Sequence, residues 1–170
     1  MPSSVARPST DRLREALFSI LGGRVISARV LDLFAGSGAL GLECLSRGAV
    51  SCDFIDESRE SFAVVRKNLK SLQLECGKVM HQDVFRFLNG VAAKSYDLVF
   101  ADPPYFKNAG DTDFVAELLN HEKLPAAMAD DALLVLEDPP SNQRGDINGW
   151  QLLDQRRYGG CGILFYQRQQ

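Results

Sequence analysis

The junction Leu31-Asp32-Leu33-Phe34-Ala35-Gly36-Ser37-Gly38-Ala39-Leu40-Gly41 constrains the fold more than any other stretch of the chain. Residues 30–34 have the apolar density of a short buried strand, and residues 39–47 read as a helix stopped by Gly48. Between them Gly36, Gly38 and Gly41 fall at G-x-G-x-x-G spacing. Missing side chains at such positions let backbone N–H groups and a helix N-terminus approach a ligand. The rest of the chain repeats this alternation. Strands are expected at 50–55, 78–82, 96–101 and 132–137, helices at 58–70 and 112–120, and a closing hairpin from 151–157 and 161–167 around Gly159 and Gly160. A further helix precedes the first strand, capped by Thr10, with Leu13, Leu17, Ile20 and Leu21 on one stripe and Gly22 and Gly23 ending it. Strands alternating with helices imply an α/β fold with right-handed crossovers and a mostly parallel sheet covered by helices on both faces. Ligands in such sheets bind beyond the carboxyl ends of the strands.

A length of 170 residues suits one domain, here a basic segment and helix over 1–29 followed by an α/β core over 30–170. Hydrophobic residues at 45% and charged residues at 24% exclude a disordered or disulfide-scaffold chain. No apolar run approaches the roughly 18 residues of a membrane span, and residues 1–10 lack the apolar core of a signal peptide, so a cytoplasmic protein without a membrane partner is expected. Cys44, Cys52, Cys76 and Cys161 show no metal-ligand spacing, so no metal is expected and all four read as reduced packing residues. Net charge is −3, but residues 1–29 carry +3, residues 141–170 carry +2 and the middle carries −8. Basic ends around an acidic body could hold a polyanion at the termini, although solvated arginines on element surfaces account for the pattern equally well.

The glycine loop fits two cofactors. A dinucleotide is one, with Asp56 placed 20 residues after Gly36 to bind a ribose. Three features favour S-adenosylmethionine. Asp32, inside the strand end, can pair with a cationic amino-acid head; Asp83, after the third strand, can hold an adenine amine or simply cap a helix; and no second domain exists for a hydride donor's substrate.

Asp102-Pro103-Pro104-Tyr105 follows the fourth strand. Methyl transfer to an exocyclic amine accounts for each position. The amine lone pair is delocalised into the base ring, so hydrogen-bond acceptors must turn it toward the methyl donor. Asp102 and the Pro103 carbonyl are suited to that, the prolines fix the turn without adding donors, and Tyr105 offers a face on which an extruded base can stack. The chain contains its own control, Asp138-Pro139-Pro140, where Ser141 replaces the aromatic residue. That copy is read as structural.

These motifs, with the run Arg7-Pro8-Ser9-Thr10-Asp11-Arg12-Leu13-Arg14-Glu15-Ala16-Leu17-Phe18, resemble the RsmD-type bacterial 16S ribosomal RNA (guanine-N2) methyltransferases over nearly the whole chain. The resemblance implies the class I S-adenosylmethionine-dependent methyltransferase fold, Rossmann-like, with a seven-stranded sheet whose last hairpin strand inserts antiparallel beside the fifth. It implies a cofactor site of Thr10, Arg12, Asp32, Phe34, Ala35, Gly36, Ser37, Gly38, Asp56 and Asp83. Within it Thr10 and Arg12 approach the methionine end, Asp56 the ribose and Asp83 the adenine. The catalytic group is Asp102, Pro103, Pro104 and Tyr105, and the partner is 16S ribosomal RNA; because only the chain ends are basic, a partly assembled small subunit is the expected form of it, while the oligomeric state stays open with a monomer favoured. Family members usually carry a Gly-Arg-rich hairpin before the Arg-Pro-x-Thr-Asp-Arg run, where this sequence has only Met1 to Ala6. The competing readings are a DNA adenine or cytosine amino-methyltransferase, a catalytically silent RNA-binding assembly factor and a nicotinamide-dependent oxidoreductase.

Overall fold

The computed structural model describes residues 10–105, 108, 110–147 and 149–169. Its elements run α1 (Thr10–Leu21), a single 3-10 turn (Gly22–Val25), β1 (Arg29–Leu33), α2 (Ala39–Ser46), β2 (Ser51–Asp56), α3 (Arg59–Ser71), β3 (Gly77–His81), α4 (Val84–Asn89), β4 (Tyr96–Ala101), α5 (Phe114–Leu119), α6 (Lys123–Ala127), β5 (Met128–Asp138), β6 (Trp150–Tyr158) and β7 (Cys161–Arg168). The strands form one sheet in the order β3-β2-β1-β4-β5-β7-β6. β3, β2, β1, β4 and β5 run parallel, and β7 inserts antiparallel between β5 and β6. The order reverses at β1, which puts the crevice for a ligand beyond the carboxyl ends of β1 and β4.

Two short helices lie outside the elements that periodicity predicts. α4 answers to the alternative of Asp83 as a helix cap, and α6 carries Pro125, which reads as a breaker. Pro125 is the third residue of α6, inside the first turn, where a proline N–H would have no partner within the helix. β5 begins four residues before the expected strand because Met128–Asp131 extend it with mixed polar residues.

Each central strand buries alternate side chains in opposite layers. Leu31, Leu33, Val99, Ala101, Leu134 and Leu136 pack under α4, α5 and α6. Val30, Leu98, Phe100, Leu133, Val135, Ile163 and Phe165 pack on the other face with Leu17, Phe18 and Leu21 of α1, Leu42 and Leu45 of α2, and Val65 and Leu69 of α3. The same alternation carries past the strand ends. Asp32, Asp102, Glu137 and Cys161 continue the face that holds α1, α2 and α3, whereas Asp138 continues the opposite face.

This one-residue offset separates the two Asp-Pro-Pro copies. Asp138 is 2% exposed and accepts from Arg144 Nε at 2.7 Å, from Arg144 Nη2 at 3.0 Å and from Asn142 Nδ2 at 3.2 Å. Arg144 also donates through Nη1 and Nη2 to Asp113 at 3.1 Å each, and Asp113 caps α5 through Ala116 N. The second copy thus pins the start of α5 to the end of β5. Asp138→Ala is therefore expected to cost stability, about 3 kcal/mol for a buried pair broken from one side. Urea titration of variant and parent measures this; an unchanged midpoint would contradict the pairing.

Candidate functional site

A cleft of about 930 Å³ opens at the carboxyl ends of β1, β4 and β5, between α1 and the β6–β7 turn. Its walls include Arg12, Arg14, Asp32, Phe34, Ala35, Gly36, Ser37, Asp102, Glu137, Tyr158 and Cys161. The floor begins with β1. Its last residues are buried, and the chain then leaves the strand at Phe34, which takes φ of 56°, a left-handed conformation uncommon for an aromatic residue. The Phe34 ring packs against Phe85 at 6.2 Å and Phe114 at 5.7 Å, so its side chain is held on the α4 and α5 side while the loop turns over the strand end.

The three glycines do different work. Gly36 takes φ of 58° with open space where a Cβ would stand, which suits close approach of a ligand to the backbone. At Gly41 a Cβ would lie 2.4 Å from Phe54 Cε1 and 2.6 Å from Cys52 Sγ, so this glycine lets α2 lie against β2. Gly38 is intermediate, with φ of 80° and Val65 Cγ2 at 2.9 Å from a Cβ. The sequence pattern offers all three to ligand approach; Gly36 keeps open space for it, Gly41 serves helix–strand packing, and Gly38 lies against Val65 and Phe54.

Asp32 is 3% exposed, and its Oδ2 accepts from Gly41 N at 3.1 Å. Burial raises its pKa from 3.8 to about 7; the Gly41 N–H opposes that rise and the charge of Asp56 adds to it. A cationic amino-acid head fits this position because its charge would offset the hydration that burial takes from the carboxylate. Asp56 is tied twice, its Oδ2 accepting from Gly36 N at 2.9 Å and its Oδ1 from Ser58 N at 2.8 Å. It therefore clamps the glycine loop to the end of β2. Asp83 is the N-cap of α4, its Oδ1 accepting from Phe85 N at 2.9 Å and Arg86 N at 3.1 Å. Neither Asp56 nor Asp83 is part of the cleft wall. Thr10 opens α1, but its side chain and the run Arg7 to Ser9 lie outside the described residues.

Asp102 is exposed, and its backbone N–H donates to Leu33 O at 3.4 Å, tying the β4 exit to β1. Pro103 is buried, Pro104 exposed and Tyr105 half-buried. The Tyr105 hydroxyl is hydrogen-bonded to Cys161, and burial, followed by the nearby charges of Cys161 and Glu137, holds it protonated well above the usual phenol range. Cys161 Sγ donates to Glu137 Oε1 at 2.6 Å. Burial raises this thiol, and the Glu137 hydrogen bond raises it further. Cys161 thus lines the cleft while packing against the core, and of the four cysteines read as reduced packing residues only Cys76, which is exposed, departs from that expectation. Sequence reasoning also passed over Glu137. The signal was available, since Glu137 ends the buried run of β5 at the level where strand ends meet ligands.

Several arginines of the two basic ends are tied to the fold. Arg14 pairs with Asp11 and Glu43, Arg29 with Asp97, Arg156 with Asp154 and Arg168 with Asp130. Among the described residues no helix is long and apolar enough to cross a membrane, and no group of three or more potential ligands could hold a metal.

A sheet of this order with one antiparallel strand inserted near its edge, a glycine loop after β1, a carboxylate ending β2 and Asp-Pro-Pro-Tyr after β4 defines the class I S-adenosylmethionine-dependent methyltransferase fold. The family model described as Conserved hypothetical protein 95 matches residues 1–167, and the chain belongs to that family. It is 34% identical over 164 residues to Ribosomal RNA small subunit methyltransferase D of Escherichia coli (strain K12), covering 96% of this chain and 80% of that protein. The solved structure of yhhF from Escherichia coli superposes with a TM-score of 0.79 at 33% identity, covering 96% of this chain and 87% of that one. SMU.776, solved in complex with SAH, shares the fold at a TM-score of 0.70 and 14% identity, covering 95% of this chain and 50% of that one.

The raised pKa of Asp32 has a signed consequence. In the unfolded chain its carboxyl ionises near 3.8 and in the folded protein near 7, so between these values the folded state holds the extra proton. Stability contributed by this group falls as pH rises through that window. Asp32→Asn keeps an acceptor for Gly41 N–H and carries no charge. It is expected to flatten the pH dependence of the urea midpoint between about pH 4 and 8 and to gain at most about 4 kcal/mol over ligand-free parent at the upper end. A parent midpoint that rises across this range without flattening in the variant would remove the assignment.

Proposed function

We propose that this protein transfers the methyl group of S-adenosylmethionine to the exocyclic 2-amino group of a guanine in 16S ribosomal RNA. The observation that carries the reading is the placement of Asp102 on the same face and in the same cleft as Asp32 and the Gly36 loop, so that a cofactor site and an amine-accepting carboxylate meet at one strand-end crevice. The ribosomal substrate is supported by the name of the Escherichia coli relative, which is 34% identical over nearly the whole chain. The cofactor is supported by the fold, by the SAH bound to SMU.776 and by the buried Asp32.

S-adenosylmethionine supplies an electrophilic methyl group on a sulfonium. The residues of this chain do the rest by positioning and electrostatics. Asp32 meets the amino-acid head, Asp56 holds the Gly36 loop and faces the ribose, Asp83 caps the helix on the adenine side, and Phe34 to Gly38 supply backbone N–H groups. Arg12 stands at the mouth of the cleft beside the methionine end, with Thr10 two residues before it. Asp102 and the Pro103 carbonyl accept hydrogen bonds from the amine, which rotates its lone pair out of conjugation, and Asp102 stabilises the positive charge that grows on nitrogen. Pro104 fixes the turn, and Tyr105 stacks the base.

The acidic cleft also bears on how the RNA is met. Its wall sets Asp32, Asp102 and Glu137 against Arg12 and Arg14, a balance with no surplus of cations to neutralise several phosphates. With an acidic body and basic groups only at the chain ends, naked RNA is expected to bind weakly and a partly assembled subunit to be the productive substrate.

Asp102→Ala and Tyr105→Ala are expected to keep cofactor affinity by titration calorimetry and to lower tritiated methyl incorporation by about two or more orders of magnitude, with Asp102→Asn retaining more than Asp102→Ala because its amide oxygen still accepts. Asp56→Ala is expected to weaken cofactor binding by about 1.5 to 3 kcal/mol for a charge-assisted contact, and to loosen the Gly36 loop with it. Incorporation is compared on stripped 16S RNA, partly assembled small subunits and duplex DNA. Preferential labelling of DNA would overturn the ribosomal reading.

A further inference from the structure

Glu137 stands one residue past the last registered β4–β5 pair, Ala101 and Leu136, as Asp102 does on its own strand. Both carboxylates therefore leave neighbouring parallel strands at the same level and on the same face, and both line the cleft. The Cys161 thiol donates to Glu137 Oε1 and is itself in contact with the Tyr105 hydroxyl, so one chain of groups links β5, β7 and the residue expected to stack the base. The thiol stays protonated and so remains a donor, which holds the carboxylate through Oε1.

We infer that Glu137 reads the N1–H of the target guanine beside the amine held by Asp102, and so selects guanine over adenine and cytosine. The inference rests on the guanine-N2 reading above. Guanine presents two adjacent donors, N1–H and the 2-amino group, and two adjacent carboxylates match them. Adenine and cytosine place a ring-nitrogen lone pair next to their amines, and a second carboxylate there meets a lone pair instead of a proton. A site built to accept from an N–H rejects an analogue lacking it far more strongly than an apolar pocket rejects a change of shape. Cys161 is the positioning residue that holds Glu137 in this orientation.

The test uses a base that separates the two donors. 2-Aminopurine keeps the 2-amino group and lacks N1–H. The target guanine is first located in partly assembled small subunits methylated by the parent protein, by nuclease digestion and mass spectrometry. Subunits carrying 2-aminopurine at that position are then compared with normal ones. The parent is expected to lose at least about tenfold in kcat/KM on 2-aminopurine. Glu137→Gln should bring the two substrates to within about threefold, because its carboxamide N–H can donate to the bare N1, with cofactor affinity by calorimetry unchanged. Glu137→Asp, which keeps the acceptor, should keep the parent's preference at lower turnover and guards against a variant that fails to fold. An unchanged preference in folded Glu137→Gln overturns the inference alone. A parent product other than N2-methylguanosine overturns the guanine reading and this inference with it.

Discussion

The close approach of α2 to β1 and β2 is the constraint on which the site depends. Gly41 has no room for a Cβ against Phe54 and Cys52, and the absence of that carbon lets the helix backbone come down onto the strands. At this distance the Gly41 N–H reaches the buried carboxylate of Asp32. A carboxyl removed from water without a donor would be expelled or neutralised, so the helix that packs on the strand also keeps an ionisable group at the floor of the cleft. Asp56 fastens the other side of the same loop through Gly36 N and Ser58 N. Packing and site geometry here are one arrangement.

The cleft is acidic, whereas its assigned substrate is a polyanion. The two fit together once their parts are separated. Carboxylates suit an ammonium head, ribose hydroxyls and the N–H edge of a base, all of which are donors. Phosphates have to be met elsewhere, by arginines at the rim such as Arg12 or by the shape of a folded RNA. Several of the arginines that make the chain ends basic are already paired within the fold, so under the proposed function shape would take the larger share of recognition.

The carboxy-terminal hairpin completes the site from a distance. β7 enters the sheet beside β5 and carries Cys161 to the end of the cleft, where it meets Glu137 and Tyr105. On the opposite face Arg144 joins Asp138 to Asp113 and so fixes α5, whose Phe114 supports Phe34. The segment after β5 thus holds both layers of the site, one by a thiol and a carboxylate, the other by a guanidinium between two carboxylates.

The alternating architecture, the seven strands, the antiparallel hairpin and the strand-to-glycine-to-helix junction were legible from apolar periodicity and turn residues, because these are local properties of a strand or a helix. Asp32 stood out as a carboxylate inside a buried strand and Asp102 as the first residue after one, leading Pro-Pro-Tyr, and the lack of a stacking aromatic marked the second Asp-Pro-Pro copy. Helix α4 was legible only through the alternative of Asp83 as a helix cap, and α6 was hidden by Pro125. What only the tertiary structure decided is which distant residues share a face. A single step along β5 separates Glu137, which enters the cleft beside Asp102, from Asp138, which turns into the opposite layer toward Arg144. Strand side chains alternate with period two, and the register between strands far apart in sequence sets which of two adjacent carboxylates reaches the site.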